Sequence, residues 1–154
     1  MFRATEEIAA AFDEANLKYR LEETESGSRL GANVEVNYTA FCIWFISDDD
    51  DSDVAVRIPN FTRFRTEAER RKLLKPLNDM NRKFRFCKFV LNRTAQSIEL
   101  EYDFPQSADQ IGQTAVEMFH RIARIADEAY PVFMKALWGG EEFFGNAVFY
   151  EYKY

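Results

Sequence analysis

One histidine, two cysteines, four prolines and six glycines are all that this chain of 154 residues holds of those types. Each scarcity excludes something. With His120 as the single histidine, no two-histidine metal site can form, and a Ser/His or Cys/His pair would have to be built on that one residue. No Gly-rich phosphate loop, nucleophile elbow or Cys-x-x-Cys pair occurs. Cys42 and Cys87 lie in apolar runs and read as small hydrophobes of a reducing compartment, with a disulfide between them as the lesser alternative. No apolar run approaches the roughly 18 residues that span a bilayer. Met1-Phe2-Arg3 leads straight into a polar run rather than a secretory signal, so a cytoplasmic, non-membrane protein is expected.

What is present is burial potential. Apolar residues make up 47% and aromatics 16%, too much for a disordered chain even with a net charge of -6. The length suits one domain. Charge is uneven: between Arg57 and Arg93 there are twelve Lys/Arg against three acids, so a basic middle is embedded in an acidic protein.

Along the chain, Thr5 followed by two glutamates reads as a helix start, and Ile8, Ala11, Phe12 and Ala15 share one face. A short strand over Leu17–Leu21 ends in a loop at Glu25-Ser-Gly-Ser, and Val34, Val36 and Tyr38 alternate as a second strand. Phe41 to Ile46 is a continuous apolar run containing Trp44, the pattern of a strand covered on both faces or lending one face to a partner. Asp48 to Asp53 breaks it. Val54, Val56 and Ile58 alternate next, and Pro59 is expected to stop that strand.

Thr66 with Glu69 fits a capping box opening a second helix. Leu73, Leu77, Met80 and Phe84 form its apolar face, with Arg71, Lys72, Lys75, Arg82 and Lys83 opposite; Pro76 predicts a kink or a new first turn. A hairpin follows over Lys88–Leu91 and Ile98–Tyr102, closed by Pro105. A long helix from about Ala108 carries an apolar stripe, is broken or bent at Pro131, and ends at Gly139-Gly140. The expected fold is α+β, an antiparallel sheet flanked by helices in the order α-β-β-β-α-β-β-α. Residues 1–140 form one domain, and 141–154 an aromatic tail packed on it or on a second subunit.

Leu77-Asn-Asp-Met-Asn81, Phe86-Cys-Lys-Phe-Val-Leu91, Ile98-Glu-Leu-Glu-Tyr-Asp-Phe-Pro105, and Ala126-Asp-Glu-Ala-Tyr-Pro131 through Leu137-Trp138-Gly139 resemble the YbjN family of bacterial sensory transduction regulators. The resemblance implies a fold similar to type III secretion chaperones, a tendency to form homodimers, a bacterial cytoplasmic setting, and binding or regulation of a protein client rather than chemistry. It brings no catalytic residues and no cofactor. The aromatic tail departs from it.

Other constellations read as scaffold. His120 falls off the apolar stripe, toward solvent. Glu99, Glu101 and Asp103 share a strand face, but no apolar pocket is evident to raise a carboxyl pKa, so a solvated face is expected. The Asp48–Asp53 run lacks the alternate spacing, glycine and closing glutamate of a calcium loop, and no metal is expected. The basic helix face reads first as a solvated face balanced by acids, and otherwise as a docking surface for an acidic partner, nucleic acid being the sharper version. A partner surface is therefore expected from Trp44, from Arg71, Lys72, Lys75, Arg82 and Lys83, and from Phe143 and Phe144 of the tail. The reading is of a non-enzymatic module that binds a protein segment, with a nucleic-acid-interacting regulator as the alternative.

Overall fold

The computed structural model describes residues 1–48, 53–106 and 109–139. Its elements are α1 (Arg3–Glu14), β1 (Arg20–Thr24), β2 (Gly27–Glu35), β3 (Ala40–Asp48), β4 (Asp53–Arg63), α2 (Glu67–Lys83), β5 (Lys88–Asn92), β6 (Ser97–Pro105) and α3 (Ile111–Trp138). The six strands form one antiparallel sheet in the order β1-β2-β3-β4-β6-β5. The α+β expectation is met, with four strands rather than three before the second helix.

Strand register sorts the side chains onto two faces, because directly paired residues point the same way. Leu30 pairs with Phe45, Phe45 with Val56, and Val56 with Tyr102. This row faces the helices. Phe12 of α1 is fully buried there and meets Phe45 and Phe119 of α3 edge-on, each at 5.6 Å. Toward the other end, Phe133 of α3 packs on Phe61 at 5.7 Å and Phe89 at 5.4 Å. Each such side chain stabilises by about 1.5–3 kcal/mol relative to exposure.

Several local expectations are corrected. Helix α1 begins at Arg3, and Thr5 does not cap it: the Thr5 hydroxyl is buried against Ser28 Oγ at 2.7 Å, and the Phe2 N–H also donates to Ser28 Oγ. β2 starts at Gly27 instead of Val34 because this stretch is paired with β1 on one side and β3 on the other. Small polar residues, which read locally as a loop, become strand once strands on both sides pair with them. Glu25 and Ser26 are only the turn joining Thr24 to Gly27, and Val36 to Tyr38 lie beyond the strand.

Pro59 does not end β4. The strand runs on to Arg63 through an irregularity between Ile58 and Thr62, where Asn60 takes φ 55 and Pro59 is exposed. A bulge accommodates the missing N–H and turns Phe61 inward. Helix α2 begins as expected, with Thr66 Oγ1 accepting from the Glu69 N–H at 3.1 Å; the Glu69 carboxylate reaches the Arg65 N–H. It passes through Pro76 without a new first turn. Helix α3 likewise is unbroken at Pro131, which is buried between Ala129 and Phe133, so packing outweighs the lost hydrogen bond.

Candidate interaction surface

All three helices pack on one side, so the opposite face of the sheet carries no helix among the described residues. One row across it reads Arg20, Gly31, Trp44, Arg57, Glu101 and Lys88. Two residues along lies Glu22, Arg29, Ile46, Ala55 and Asp103. The apolar run of β3 is therefore split: Phe41, Ile43 and Phe45 are buried under helices, while Cys42, Trp44 and Ile46 are half-buried on the open face.

Trp44 is held in place by its neighbours. Its ring passes over Gly31, and the guanidinium carbons of Arg20 and Arg29 lie 4.7 and 4.5 Å from the indole centroid. Each such cation-π contact contributes about 0.5–1 kcal/mol at an exposed site. Glu22 restrains the same two arginines, accepting from Arg29 Nε at 2.8 Å and facing Arg20 Nε at 3.6 Å. Arg57 occupies the centre of the sheet, with Asp103 and Glu101 as ion-pair partners and the Val56 carbonyl as a further acceptor at 2.9 Å. Burial pulls the Arg57 pKa down, but the hydrogen bond and charge of Asp103, then of Glu101 and Glu99, outweigh it and raise it overall. Arg57 thus offsets part of the charge of the acidic ladder, pairing with two of its three carboxylates.

Beside this face, β3 and β4 pair only from Trp44 to Ile46 with Ala55 to Arg57. Beyond that they part around the Pro59–Asn60 irregularity and leave a cleft of about 310 Å³, lined by Phe41, Cys42, Phe61, Thr62 and Tyr130 among others. Cys42 joins the cleft to the open face. Its thiol and that of Cys87 are free; burial raises both, Cys87 to about 12.

The basic helix face is less available than its sequence implies. Arg71 faces Glu67 at 3.6 Å, Lys75 pairs with Asp79 at 2.7 Å, and Lys83 meets Glu128 of α3 at 3.7 Å. Lys72 and Arg82 are exposed without an ion pair among the described residues. Trp44 and the α2 cations are not brought together: α2 covers the buried side of the sheet near β5, and Trp44 looks out from the other side. Phe143 and Phe144 lie outside the described residues, as do Asp49 to Asp51 of the acidic run. His120 is exposed. Among the described residues no group of three His, Cys, Asp or Glu could hold a metal ion, and no helix is long and apolar enough to cross a membrane.

Sequence reasoning missed Arg20, Arg29, Arg57 and Gly31 around Trp44. Nothing in their spacing announces them, since they come from three strands and meet only through register. Conversely, the motif residues do structural work. Asn81 donates to the Phe89 carbonyl at 2.9 Å and accepts from the Phe89 N–H at 2.7 Å, pinning α2 to edge strand β5. Asp127 accepts from the Asn37 backbone N–H and side-chain amide, each at 2.9 Å, tying the β2–β3 turn to α3.

The fold and surface define a two-layer α+β protein with one sheet face that no helix covers among the described residues and an Arg-flanked tryptophan at its middle. Residues 4–134 match the YbjN family, described as a putative bacterial sensory transduction regulator, and the chain belongs to that family. No curated protein matches it.

Proposed function

We propose that this chain is a non-catalytic regulatory module of the cytoplasm that binds an extended segment of a partner protein along the outer side of β3, from Trp44 to the cleft at Cys42. The observation that carries this reading is the setting of Trp44: a half-buried aromatic on a sheet face that no helix covers among the described residues, oriented by Arg20 and Arg29. Aromatic and arginine side chains are the usual anchors of protein interfaces, and the Glu22 restraint lowers the entropy lost when a partner docks. Family membership supports a regulatory role. The homodimer expected from the family resemblance is checked by sizing in solution.

The test is affinity capture from bacterial lysate, with and without nuclease, using the full chain, Trp44→Ala, and Lys72→Glu/Arg82→Glu. Recovery of a defined protein that Trp44→Ala abolishes and the α2 variant leaves intact supports the proposal. Recovery of nucleic acid that falls steeply with salt and depends on Lys72 and Arg82 would replace it with the alternative reading.

A further inference from the structure

A second surface lies at the far end of the molecule, independent of the open sheet face. Where β4 runs into α2, beside the β5–β6 turn and the last turn of α3, a cleft of about 510 Å³ is lined by Arg63, Phe64, Arg65, Met134, Leu137 and Trp138 together with Glu69, Ala95 and Gln96. Its floor is apolar, with Phe64 6% and Leu137 4% exposed, and Trp138 stands on its rim at 50% exposure. A large aromatic left half in water costs free energy that a cover would recover. Arg63 and Arg65 are exposed and make no ion pair among the described residues. Glu69, the acid on the wall, is engaged with the Arg65 N–H.

The occupant this cleft calls for is apolar and aromatic with acidic groups beside it. The chain supplies that composition immediately after the helix: Gly139-Gly140 is followed by Glu141-Glu142 and then Phe143-Phe144. Glycines permit the reversal needed to turn back on a helix end. From Gly139 to Phe144 an extended chain reaches about 17 Å, roughly three helical turns, so the distance is no obstacle.

We propose that the C-terminal segment of the same chain docks in this cleft, with Glu141 and Glu142 against Arg63 and Arg65, and Phe143 and Phe144 over Leu137, Met134 and Trp138.

Fluorine NMR on the full chain labelled with 5-fluorotryptophan tests this, because the protein has two tryptophans, Trp44 and Trp138. Trp138→Phe assigns the signals, and Trp44 reports on the integrity of the fold. Phe143→Ala/Phe144→Ala is expected to enlarge the H₂O/D₂O solvent shift of the Trp138 signal while leaving that of Trp44 in place. Arg63→Glu/Arg65→Glu does the same, and adding Glu141→Arg/Glu142→Arg to that background restores protection. An unchanged Trp138 signal in the Phe143/Phe144 variant overturns the proposal. Protection that grows with protein concentration overturns it as well, by assigning the cleft to a second copy.

Discussion

Gly31 lies directly across the β2–β3 ladder from Trp44, and a Cβ added at position 31 would sit 2.7 Å from the indole ring. The atoms it meets are the outer edge of the indole, which can give way only by leaving its contacts with Arg20 and Arg29. Gly31→Ala is therefore expected to cost about 1–2 kcal/mol while displacing Trp44 and weakening partner capture. Tryptophan fluorescence and a thermal melt measured together check both halves.

Gly112 provides the contrast. A Cβ there would meet the Ala11 Cβ and the Glu7 carbonyl oxygen, both at 2.7 Å, where α3 crosses α1. A backbone oxygen cannot swing aside, so the helices must separate. Gly112→Ala is expected to cost about 1–3 kcal/mol, read as a lower urea midpoint.

Asn81→Ala removes both partners of the Phe89 peptide groups at once. Leaving a part-buried donor and acceptor unmet costs about 1–3 kcal/mol. It also uncovers backbone on edge strand β5, so the variant should aggregate more readily on heating than Gly112→Ala does at equal loss of stability. Light scattering at matched stability tests this.

Glu67 is held at about 2, against an ordinary 4.5, chiefly by its hydrogen bond from Arg70; desolvation opposes this, and the charges of Arg70, Arg71 and Arg93 add to the lowering. A carboxylate whose pKa is lower in the folded state contributes stability in full above its unfolded pKa and loses it as pH falls through the folded one. The melting temperatures of the protein and of Glu67→Gln should therefore differ at pH 6 and converge as pH drops from about 4.5 toward 2. A constant difference over that range would contradict the assignment.

The two thiols should part company under alkylation. With Cys87 at about 12, its thiolate fraction at pH 8 is about one part in ten thousand, and its sulfur is buried besides. Cys42, half-buried on the open face and raised by burial against the opposing charge of Arg20, should react slowly but measurably. Mass spectrometry is expected to find one modified cysteine, Cys42, until the chain is unfolded.

Elements whose signal is local were legible from the residues. The apolar stripe of α3, the Thr66 cap of α2 and the β5–β6 hairpin each follow from spacing within a few turns. The segments that misled are those where a distant neighbour reverses a local preference. Ser28 is strand because β1 and β3 pair with it on both sides, Pro59 is tolerated because a bulge forms around it, and Pro131 is tolerated because the core holds it. The site was half legible. Trp44 stood out in an unusually long apolar run, but the basic face of α2 attracted equal notice, and ion pairs with Glu67, Asp79 and Glu128 occupy three of its five cations.

By itself the amino-acid order determined the class of fold, the three helices of the described residues and which of their faces are apolar, since periodicity depends on the geometry of each element alone. Only the tertiary structure decided that α1, α2 and α3 lie on one side of the sheet, and that Arg20, Arg29 and Gly31 gather around Trp44. Strand register is what joins residues far apart in the chain, and it is chosen by how the two layers pack together rather than by any strand on its own.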